Sequence, residues 1–358
     1  MTSAASINIA LNCVALDHRR PIGVERFTRN VLGAADLGDG DIQCYVRRAV
    51  PELSDVLGPD FVVRHKKLSQ RRIPVNGSIP RILLEMLALP FLTRGADVVL
   101  SINNFGPLWG KRGQRRLVVV HDVWFMSEGY EGGRLAKWLF RFLLRLQLNR
   151  TPIIVTVSEF SRREICRHFD VDPARVIVVG NCLGNRVEPV PANNGRQKLL
   201  LLVGSARRNK NVIRAIEGFQ HYHRSNPDHD SRMVIVGNYP EQWVADTRRR
   251  FGAVESLLDW RGYVDDTELN RLYESAHGLV FVSLYEGFGI PAMEAILRGR
   301  PVLVAENTAT ADILGDLGIT DLLRSRVDTD SDAFRAFRDR YMSCEGAAGR
   351  LSSVVTAG

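Results

Sequence analysis

The chain has 358 residues, of which 45% are hydrophobic and 25% charged, and these values are typical of a globular protein of about two domains. Its 30 glycines and 15 prolines are too few for a collagen-like or wholly disordered chain, and its longest charge-free run, residues 1–16, predicts neither a membrane span nor a signal peptide. The net charge of +8 lies in the first half, since residues 1–190 hold 27 Lys and Arg against 18 Asp and Glu, whereas residues 191–358 hold 21 against 22.

Apolar, β-branched runs alternate with helical patterns along the chain, which predicts an α/β fold whose parallel strands are covered on both faces. In the first half the predicted strands are Ile7–Val14, Val98–Ser101, Leu117–Val120, Ile153–Val157 and Val176–Val179. In the second half they are Leu199–Val203, Met233–Val236, Leu279–Leu284 and Pro301–Ala305, with helices predicted at Asn211–Tyr222, Asp266–Ala276 and Pro291–Arg298. A segment rich in Gly, Pro and Asn, residues 181–198, predicts a linker. The pattern therefore predicts two similar domains, residues 1–185 and residues 186–358, the second ending in a C-terminal helix.

The turn with the richest chemistry is Tyr285–Glu294, with the sequence YEGFGIPAME. Ligands of open α/β sheets lie beyond the carboxyl ends of the strands, so such strand-to-helix turns are the candidate sites. Two glycines allow a close approach of the ligand, and Pro291 suits the first position of a helix whose free N–H groups bind anions and hydroxyls. Glu286 and Glu294 would accept hydrogen bonds from a sugar and a ribose. The alternative is a turn followed by an ordinary carboxylate at a helix start.

A second turn carries three cations, Arg207, Arg208 and Lys210, before a predicted helix. The dipole of a helix disfavours positive charge at its start, so the cluster indicates a bound anion such as a diphosphate. The sequence contains neither the P-loop pattern GxxxxGK[ST] nor the dinucleotide fingerprint GxGxxG. The alternative is a solvated helix start.

Two candidates lie in the first half. His121 follows a predicted strand and could donate a hydrogen bond to a sugar hydroxyl, although a His–Asp pair satisfied within a loop is the commoner arrangement. Gly23 lies just after the first strand, in the segment Pro21–Arg26, and could let the backbone approach a phosphate.

These residues converge on a known family. The segments EGFGIPAMEA, RNKN, GYVDDTELNRLYESA and GRPVLVAE, the HD pair after a first-half strand, and VSEFSRREI resemble the retaining glycosyltransferases of family 4 over about residues 7–325. The resemblance implies the GT-B fold, in which two Rossmann-like, doubly wound domains face a central cleft. The first domain would bind the acceptor and the second the nucleotide sugar.

The resemblance also implies roles for individual residues. Glu294 would bind the ribose, and Lys210, helped by an arginine, would neutralise the departing diphosphate. The transferred sugar would be held by Glu286 and the backbone of Gly287, Phe288 and Gly289, and touched by His121; Tyr263 and Val264 would lie beside the base.

Two positions depart from the family pattern. Asn209 stands where an arginine often precedes the lysine, so Arg207 or Arg208 would take that role. Glu25 stands where a second glycine often follows the first, and a carboxylate is unfavourable beside a diphosphate. We therefore expect the Gly23 loop to serve the acceptor.

The implied reaction is a metal-independent, retaining transfer of a hexose that needs no cofactor, because the nucleotide sugar is itself a substrate. The pattern looks like that of bacterial polysaccharide mannosyltransferases, which makes GDP-mannose the first expected donor and a UDP-sugar the second. The alternatives are a glucosyl-type transferase that uses a UDP-sugar, and a noncatalytic carbohydrate-binding protein. The missing GxGxxG argues against an oxidoreductase, and the lack of any nucleic-acid motif predicts no nucleic acid as partner.

The positive first half predicts an anionic partner, or else simply a soluble basic surface. Arg134, Lys137, Arg141 and Arg145 share one helical face near Trp and Phe, as in helices that lie on membranes. We therefore expect an acceptor that is a glycan or a polyprenyl-diphosphate-linked glycan, and peripheral contact with an anionic membrane. Five cysteines without a CxxC pair predict reduced thiols and a cytoplasmic protein.

Overall fold

The computed structural model describes residues 6–16, 23–127, 130–184, 187, 190, 198–228, 230–315, 329 and 331–357. The chain forms two compact units: unit 1 comprises residues 1–126, 132–184 and 343–358, and unit 2 comprises residues 127–131 and 185–342. The sequence-based division assigned the last helix to the second domain, whereas the structure packs residues 343–358 into unit 1. Most of the predicted linker, residues 181–198, lies outside the described residues.

All twelve described strands belong to two parallel sheets. Unit 1 contains β1 (Ile9–Asn12), β2 (Ile42–Arg47), β3 (Leu68–Ile73), β4 (Val98–Ser101), β5 (Arg115–Val119), β6 (Ile153–Thr156) and β7 (Val176–Val178), in the order β3-β2-β1-β4-β5-β6-β7. Unit 2 contains β8 (Lys198–Ser205), β9 (Ser231–Asn238), β10 (Leu258–Gly262), β11 (Gly278–Phe281) and β12 (Val302–Val304), in the order β10-β9-β8-β11-β12. Ile9 lies opposite both Ile42 and Val98, which sets the register at the centre of the first sheet.

The helices connect these strands. They are α1 (Gly23–Phe27), α2 (Ser54–Leu57), α3 (Pro59–Arg64), α4 (Ser78–Leu83), α5 (Leu89–Leu92), α6 (Arg134–Arg150), α7 (Glu159–Phe169), α8 (Val212–Ser225), α9 (Glu241–Arg250), α10 (Asp266–Ser275), α11 (Ile290–Leu297), α12 (Ala309–Gly315), α13 (Asp332–Met342) and α14 (Glu345–Thr356). A π-helical segment, Thr28–Leu32, continues α1, and another, Leu84–Ala88, joins α4 to α5 into one helical stretch.

Both sheets are doubly wound, because the strand order reverses direction once in each. The reversal lies between β1 and β4 in unit 1 and between β8 and β11 in unit 2. Each reversal leaves a crevice at the carboxyl ends of the two strands, and ligands of open α/β sheets bind there. In unit 2 the turn after β8 and the turn after β11 border this crevice.

The predicted strands are present, but several of their boundaries are corrected: β1, for example, is shorter than the predicted Ile7–Val14, and β9 is longer than the predicted Met233–Val236. The strand predicted over Leu279–Leu284 ends at Phe281, so the following turn is longer than expected. The strands β2, β3 and β10 were not predicted. Every residue of β1 and β4 is buried, which is why their apolar runs were readable, whereas β3 alternates with exposed polar residues at the sheet edge.

The prediction of five free thiols is wrong for one pair. Cys182 and Cys344 form a disulfide, with their Cα atoms 5.3 Å apart, and both belong to unit 1. Cys13, Cys44 and Cys166 are free. Among the described helices, none combines the length and the apolarity that crossing a bilayer requires.

Candidate active site

Two turns meet at the switch point of unit 2. The basic turn, residues 205–211, follows β8, and the glycine turn, residues 282–289, follows β11. The N–H of Leu284 donates to the carbonyl of Asn209 at 2.7 Å, and the side-chain amide of Asn211 donates to the carbonyl of Val282 at 3.1 Å. These bonds hold the two candidate segments against each other, as neighbouring strand ends require.

An ion pair spans the two turns. The Nζ of Lys210 lies 2.5 Å from Oε1 of Glu286, and the side chains are 23% and 15% exposed. The same Nζ lies 5.8 Å from the ring centre of Phe281, within range of a cation–π contact. The structure therefore brings together two of the three predicted catalytic residues. The guanidinium-bearing residues Arg207 and Arg208 are exposed beside them.

Asn209 explains one departure from the family pattern. Its side chain is buried, and its Nδ2 donates to the carbonyl of Tyr285 at 3.5 Å. A side chain that points into the protein and braces the glycine turn is not available to a diphosphate. Arg207 and Arg208 are the exposed cations of this turn.

Gly289 fixes the geometry of the glycine turn. Its φ is +86°, and a Cβ atom added there would lie 2.0 Å from Oγ1 of Thr310, so no other residue fits without a shift. Gly289 precedes the first residue of α11, whose first N–H groups lack partners within the helix. Phe288 is buried and its ring packs 5.9 Å from that of Tyr341, so only its backbone can face a ligand.

Glu294 lies one turn into α11 and is held from a neighbouring helix. Its Oε2 accepts a hydrogen bond of 3.0 Å from the hydroxyl of Tyr273 on α10, and that hydroxyl also lies 3.2 Å from the carbonyl of Pro291. The guanidinium of Arg298 lies 4.8 Å over the Tyr273 ring. Tyr273 was missed as a positioning residue, although it lies within the segment that carried the resemblance.

Tyr263 and Val264 follow β10 at the same edge of the sheet. Tyr263 is 76% exposed and Val264 is half-buried. Gly262, with a φ of +65°, turns the chain at the end of the strand. An exposed ring at this edge is free to stack on a planar ligand, and the predicted contact with a base stays a prediction.

His121 follows β5 in unit 1 and is a neutral imidazole at pH 7. Its Nε2 lies 2.9 Å from the carbonyl oxygen of Ile102, and its ring packs edge-on against Phe27, with ring centres 4.9 Å apart. Burial lowers the pKa of His121 to about 4. Because a carbonyl only accepts, Nε2 carries the proton and Nδ1 is an acceptor, so a sugar hydroxyl at Nδ1 would donate to His121 rather than accept from it. Asp122 instead caps the next turn, accepting from the N–H of Trp124 at 3.1 Å.

A buried polar network lies at the switch point of unit 1. The amide of Asn12, at the end of β1, donates to Oε1 of Glu85 at 3.3 Å and to Oγ of Ser101 at 3.2 Å. Arg81 pairs with Glu85 at 2.9 Å, yet burial dominates and raises the pKa of Glu85 to about 7. The network was not predicted, because it joins residues more than 70 positions apart. Gly23 begins α1 nearby in sequence and is exposed, while Pro21 and Ile22 lie outside the described residues.

Within the part of the chain that the structure describes, no three His, Cys, Asp or Glu side chains come together as a metal-binding group. Metal independence of the reaction stays a prediction.

Comparison with protein families agrees with this layout. A model described as glycosyltransferase family 4 matches residues 22–183, and one described as glycosyl transferases group 1 matches residues 186–331. The chain belongs to the family 4 glycosyltransferases. The first model covers most of the described part of unit 1 before α14, and the second contains both turns of the candidate site.

Two curated relatives of this family 4 protein are bacterial. O-antigen chain mannosyltransferase B of Escherichia coli is 28% identical over 223 residues, 58% of this chain and 57% of that protein. O-antigen chain mannosyltransferase RfbU of Salmonella typhimurium is 25% identical over 206 residues, 56% of this chain and 55% of that protein. The matched region therefore spans a little over half the length of these relatives.

A solved structure extends the likeness to the whole fold. WaaG, a glycosyltransferase involved in lipopolysaccharide biosynthesis, superposes with a TM-score of 0.63 at 16% identity, covering 98% of this chain and 100% of that one. The predicted fold class, two doubly wound parallel-sheet domains of the GT-B type, is confirmed.

Proposed function

We propose that this family 4 protein is a retaining hexosyltransferase that moves mannose from GDP-mannose to a glycan acceptor in polysaccharide biosynthesis. The Lys210–Glu286 ion pair at the switch point of unit 2 carries the proposal, because it sets a cation and a carboxylate where a sugar diphosphate would bind. The O-antigen mannosyltransferases among the relatives support mannose as the sugar. A UDP-sugar is the alternative donor.

The donor would lie along the strand ends of unit 2. Lys210 would contact the diphosphate, with Arg207 or Arg208 beside it, and Glu294 would accept hydrogen bonds from the ribose diol. One oxygen of Glu286 accepts a hydrogen bond from Lys210, and its other lone pairs would accept hydrogen bonds from sugar hydroxyls. The glycine-turn backbone would hold the sugar, and Tyr263 with Val264 would lie beside the base.

The chemistry would be dominated by stabilisation of the leaving group. The bond between the anomeric carbon and the diphosphate oxygen breaks while the acceptor oxygen bonds to the same face of that carbon. The acceptor's proton passes to the departing diphosphate, so no protein base is needed. Negative charge grows on the diphosphate as it leaves, and Lys210 stabilises that charge more in the transition state than in the ground state.

Unit 1 would serve the acceptor. His121, with Nδ1 as an acceptor, would receive a hydrogen bond from a sugar hydroxyl, and the Gly23 loop would contact the acceptor. We propose a polyprenyl-diphosphate-linked glycan as acceptor, reached at the anionic cytoplasmic face of a membrane. Arg134, Arg141 and Arg145 are exposed along α6, as this requires, whereas Lys137 donates to the carbonyl of Met126 at 3.3 Å.

A thermal-shift screen tests the donor. A ligand that binds only the native state raises its stability, by about 2.7 kcal/mol at a hundredfold excess over Kd. We expect GDP and GDP-mannose to raise the midpoint more than UDP, ADP and their sugars, and an assay with GDP-mannose to yield an α-mannoside. Stabilisation by UDP-sugars alone would contradict GDP-mannose as the donor and would support the alternative donor, a UDP-sugar. Sugar binding without transfer would identify a noncatalytic relative.

A further inference from the structure

The helical stretch formed by α4, the π-helical segment and α5, residues 78–92, is apolar on its outer side as well as on its inner side, where Ile82, Met86 and Leu89 are buried. Arg81 and Glu85 are buried, 8% and 0% exposed, and pair with each other at 2.9 Å. Leu83, Leu87 and Phe91, on the outer side, are 44%, 46% and 55% exposed. A surface helix ordinarily presents polar and charged side chains on its outer side, so an apolar outer side above a buried ion pair indicates that this surface meets something other than water.

The exposed side chains form one continuous stripe. Ile79, Leu83, Leu87 and Phe91 recur every four residues, which keeps them on one side of the helical stretch. The indole of Trp109 packs edge-on against Phe91, with ring centres 5.8 Å apart and 39% of the residue exposed. We call Ile79, Leu83, Leu87, Phe91 and Trp109 the apolar stripe.

The basic helix α6 lies beside this stripe. The connections from β3 to β4 and from β5 to β6 run in the same direction across the sheet, so right-handed crossovers place both helical segments on the same face. The loop after β4 touches both: Leu108 donates to the carbonyl of Met86 at 3.2 Å, and Gly106 donates to the side chain of Gln147 at 3.1 Å.

The neighbouring helix α6 repeats the pattern with added charge. Leu135, Trp138 and Phe142 are 78%, 61% and 52% exposed, and the rings of Trp138 and Phe142 stack with their centres 5.7 Å apart. Arg134, Arg141 and Arg145 are exposed on the same helix. Eight of the eleven large exposed apolar residues in the described part of the chain belong to the stripe or to α6. A concentration of this kind marks an interaction surface.

We propose that the apolar stripe inserts into the acyl boundary of an anionic bilayer while the arginines of α6 bind its headgroups. The proposal deepens the membrane contact of the proposed function, on which it rests. Charge decides for a bilayer over a second protein copy, because the arginines of α6 match anionic headgroups, whereas two copies of this net-positive surface would repel each other. Trp109 beside Phe91, and Arg94 with its guanidinium 4.8 Å over the Phe91 ring, suit the headgroup level.

Two variants of the full chain separate the contribution of the apolar stripe to membrane binding from that of the arginines of α6. Leu83→Ser/Leu87→Ser/Phe91→Ser removes apolar side chains that are already exposed, so the fold should tolerate it. We expect this variant to pellet with phosphatidylcholine–phosphatidylglycerol vesicles at least tenfold more weakly at low and at high salt. We expect Arg134→Gln/Arg141→Gln/Arg145→Gln to lose the preference for phosphatidylglycerol and its salt dependence, and to keep the residual binding at high salt.

Val63→Ser is the matched control, because Val63 is 75% exposed on α3, away from the stripe, and its loss should leave pelleting unchanged. The proposed insertion would be overturned if high salt abolished the pelleting of the wild type and the stripe variant pelleted as well as the wild type at low salt. So would a dimer in solution that the stripe variant dissociates, because the stripe would then be an interface between copies. Nucleotide-induced thermal shifts in the same variants report on the proposed function separately, and we expect them to equal those of the wild type.

Discussion

Lys210 forms a largely buried ion pair with Glu286 in the candidate site. The contact with Glu286 holds the Lys210 side chain in place. A diphosphate would therefore meet a cation that is already ordered, rather than one that must be ordered on binding. Pre-organisation of this kind lowers the entropy lost in the transition state. The exposed arginines beside it would attract the diphosphate of the bound donor. Lys210 would stabilise the negative charge that grows on the diphosphate as it departs.

Lys210→Ala should therefore lower turnover by about a hundredfold while weakening nucleoside-diphosphate binding much less, since a single lost donor to a developing charge has an effect of that order. The measurement is initial rate with GDP-mannose alongside thermal shift with GDP. Arg214→Ala is the matched control, because that cation lies one turn further along, with its side chain 76% exposed. Turnover within a few-fold of the wild type would contradict this role and would indicate that the basic turn is only a solvated helix start.

Glu294 is predicted to recognise the ribose. Glu294→Gln keeps the shape and removes the charge of the acceptor, a loss of about 1.5–3 kcal/mol for a charge-assisted bond, so the affinity for GDP should fall about tenfold or more. The wild type should prefer GDP over 2′-deoxy-GDP, and the variant should lose that preference. Tyr273→Phe removes only the hydroxyl that holds the carboxylate and should have a smaller effect. A variant that still discriminates the two nucleotides would place the ribose elsewhere.

The residue types of the site were readable from sequence, but several orientations were not. Three cations before a helix are unfavourable without an anion, and that local rule was enough to select Lys210. Whether Asn209 points inward, or Tyr273 reaches Glu294, depends on packing between turns and helices that are distant in sequence. The acceptor tautomer of His121 follows from the carbonyl of Ile102, which belongs to another strand end.

At the scale of elements, the glycine turn is the most constrained segment of the site. Gly289→Ala should destabilise the fold by two separable effects, the left-handed φ and the contact with Oγ1 of Thr310. Thr310→Ala removes the contact but not the backbone strain, so the double variant should recover part, not all, of the loss. Urea unfolding of the four chains measures this coupling. Strictly additive losses would show that the contact with Thr310 does not restrict position 289.

The burial of a strand decided in most cases whether it could be predicted, although β2 is largely buried and was not predicted. The buried strands β1 and β4 are continuous apolar runs, and α8, α10 and α11 follow turns with capping or charge signals. The strands β3 and β10, LSQRRI and LDWRG, lie at sheet edges and carry the polar residues of exposed surface. Their strand conformation comes from pairing with β2 and β9, which a single sequence does not reveal.

At the scale of the whole molecule, the chain leaves unit 1 after Gly184 and re-enters it at Ser343. Cys182 lies just before the chain leaves unit 1 at Gly184 and Cys344 just after it returns at Ser343, so their disulfide joins the two ends of the segment that forms most of unit 2. No local pattern could predict this pairing, because the two cysteines are 162 residues apart and the return of α14 to unit 1 is a tertiary feature. The guanidinium of Arg350 on α14 donates to the carbonyl of Val179 at 2.9 Å, close in sequence to the point where the chain leaves unit 1.

The disulfide should stabilise the protein only where it is oxidised. Closing a loop of this length restricts the unfolded chain, which in the chain-entropy model stabilises the native state by about 5 kcal/mol. Reductant should therefore lower the thermal midpoint of the wild type, and Cys344→Ser should match the reduced wild type and no longer respond.

Cys166→Ser is the control, because that thiol is free and half-buried, and its variant should respond as the wild type does. The measurement is scanning calorimetry with and without reductant; equal wild-type midpoints would show that the bond adds no stability. Because cytoplasmic thiols are kept reduced, the same comparison gives the loss of stability expected of this chain at the proposed cytoplasmic location.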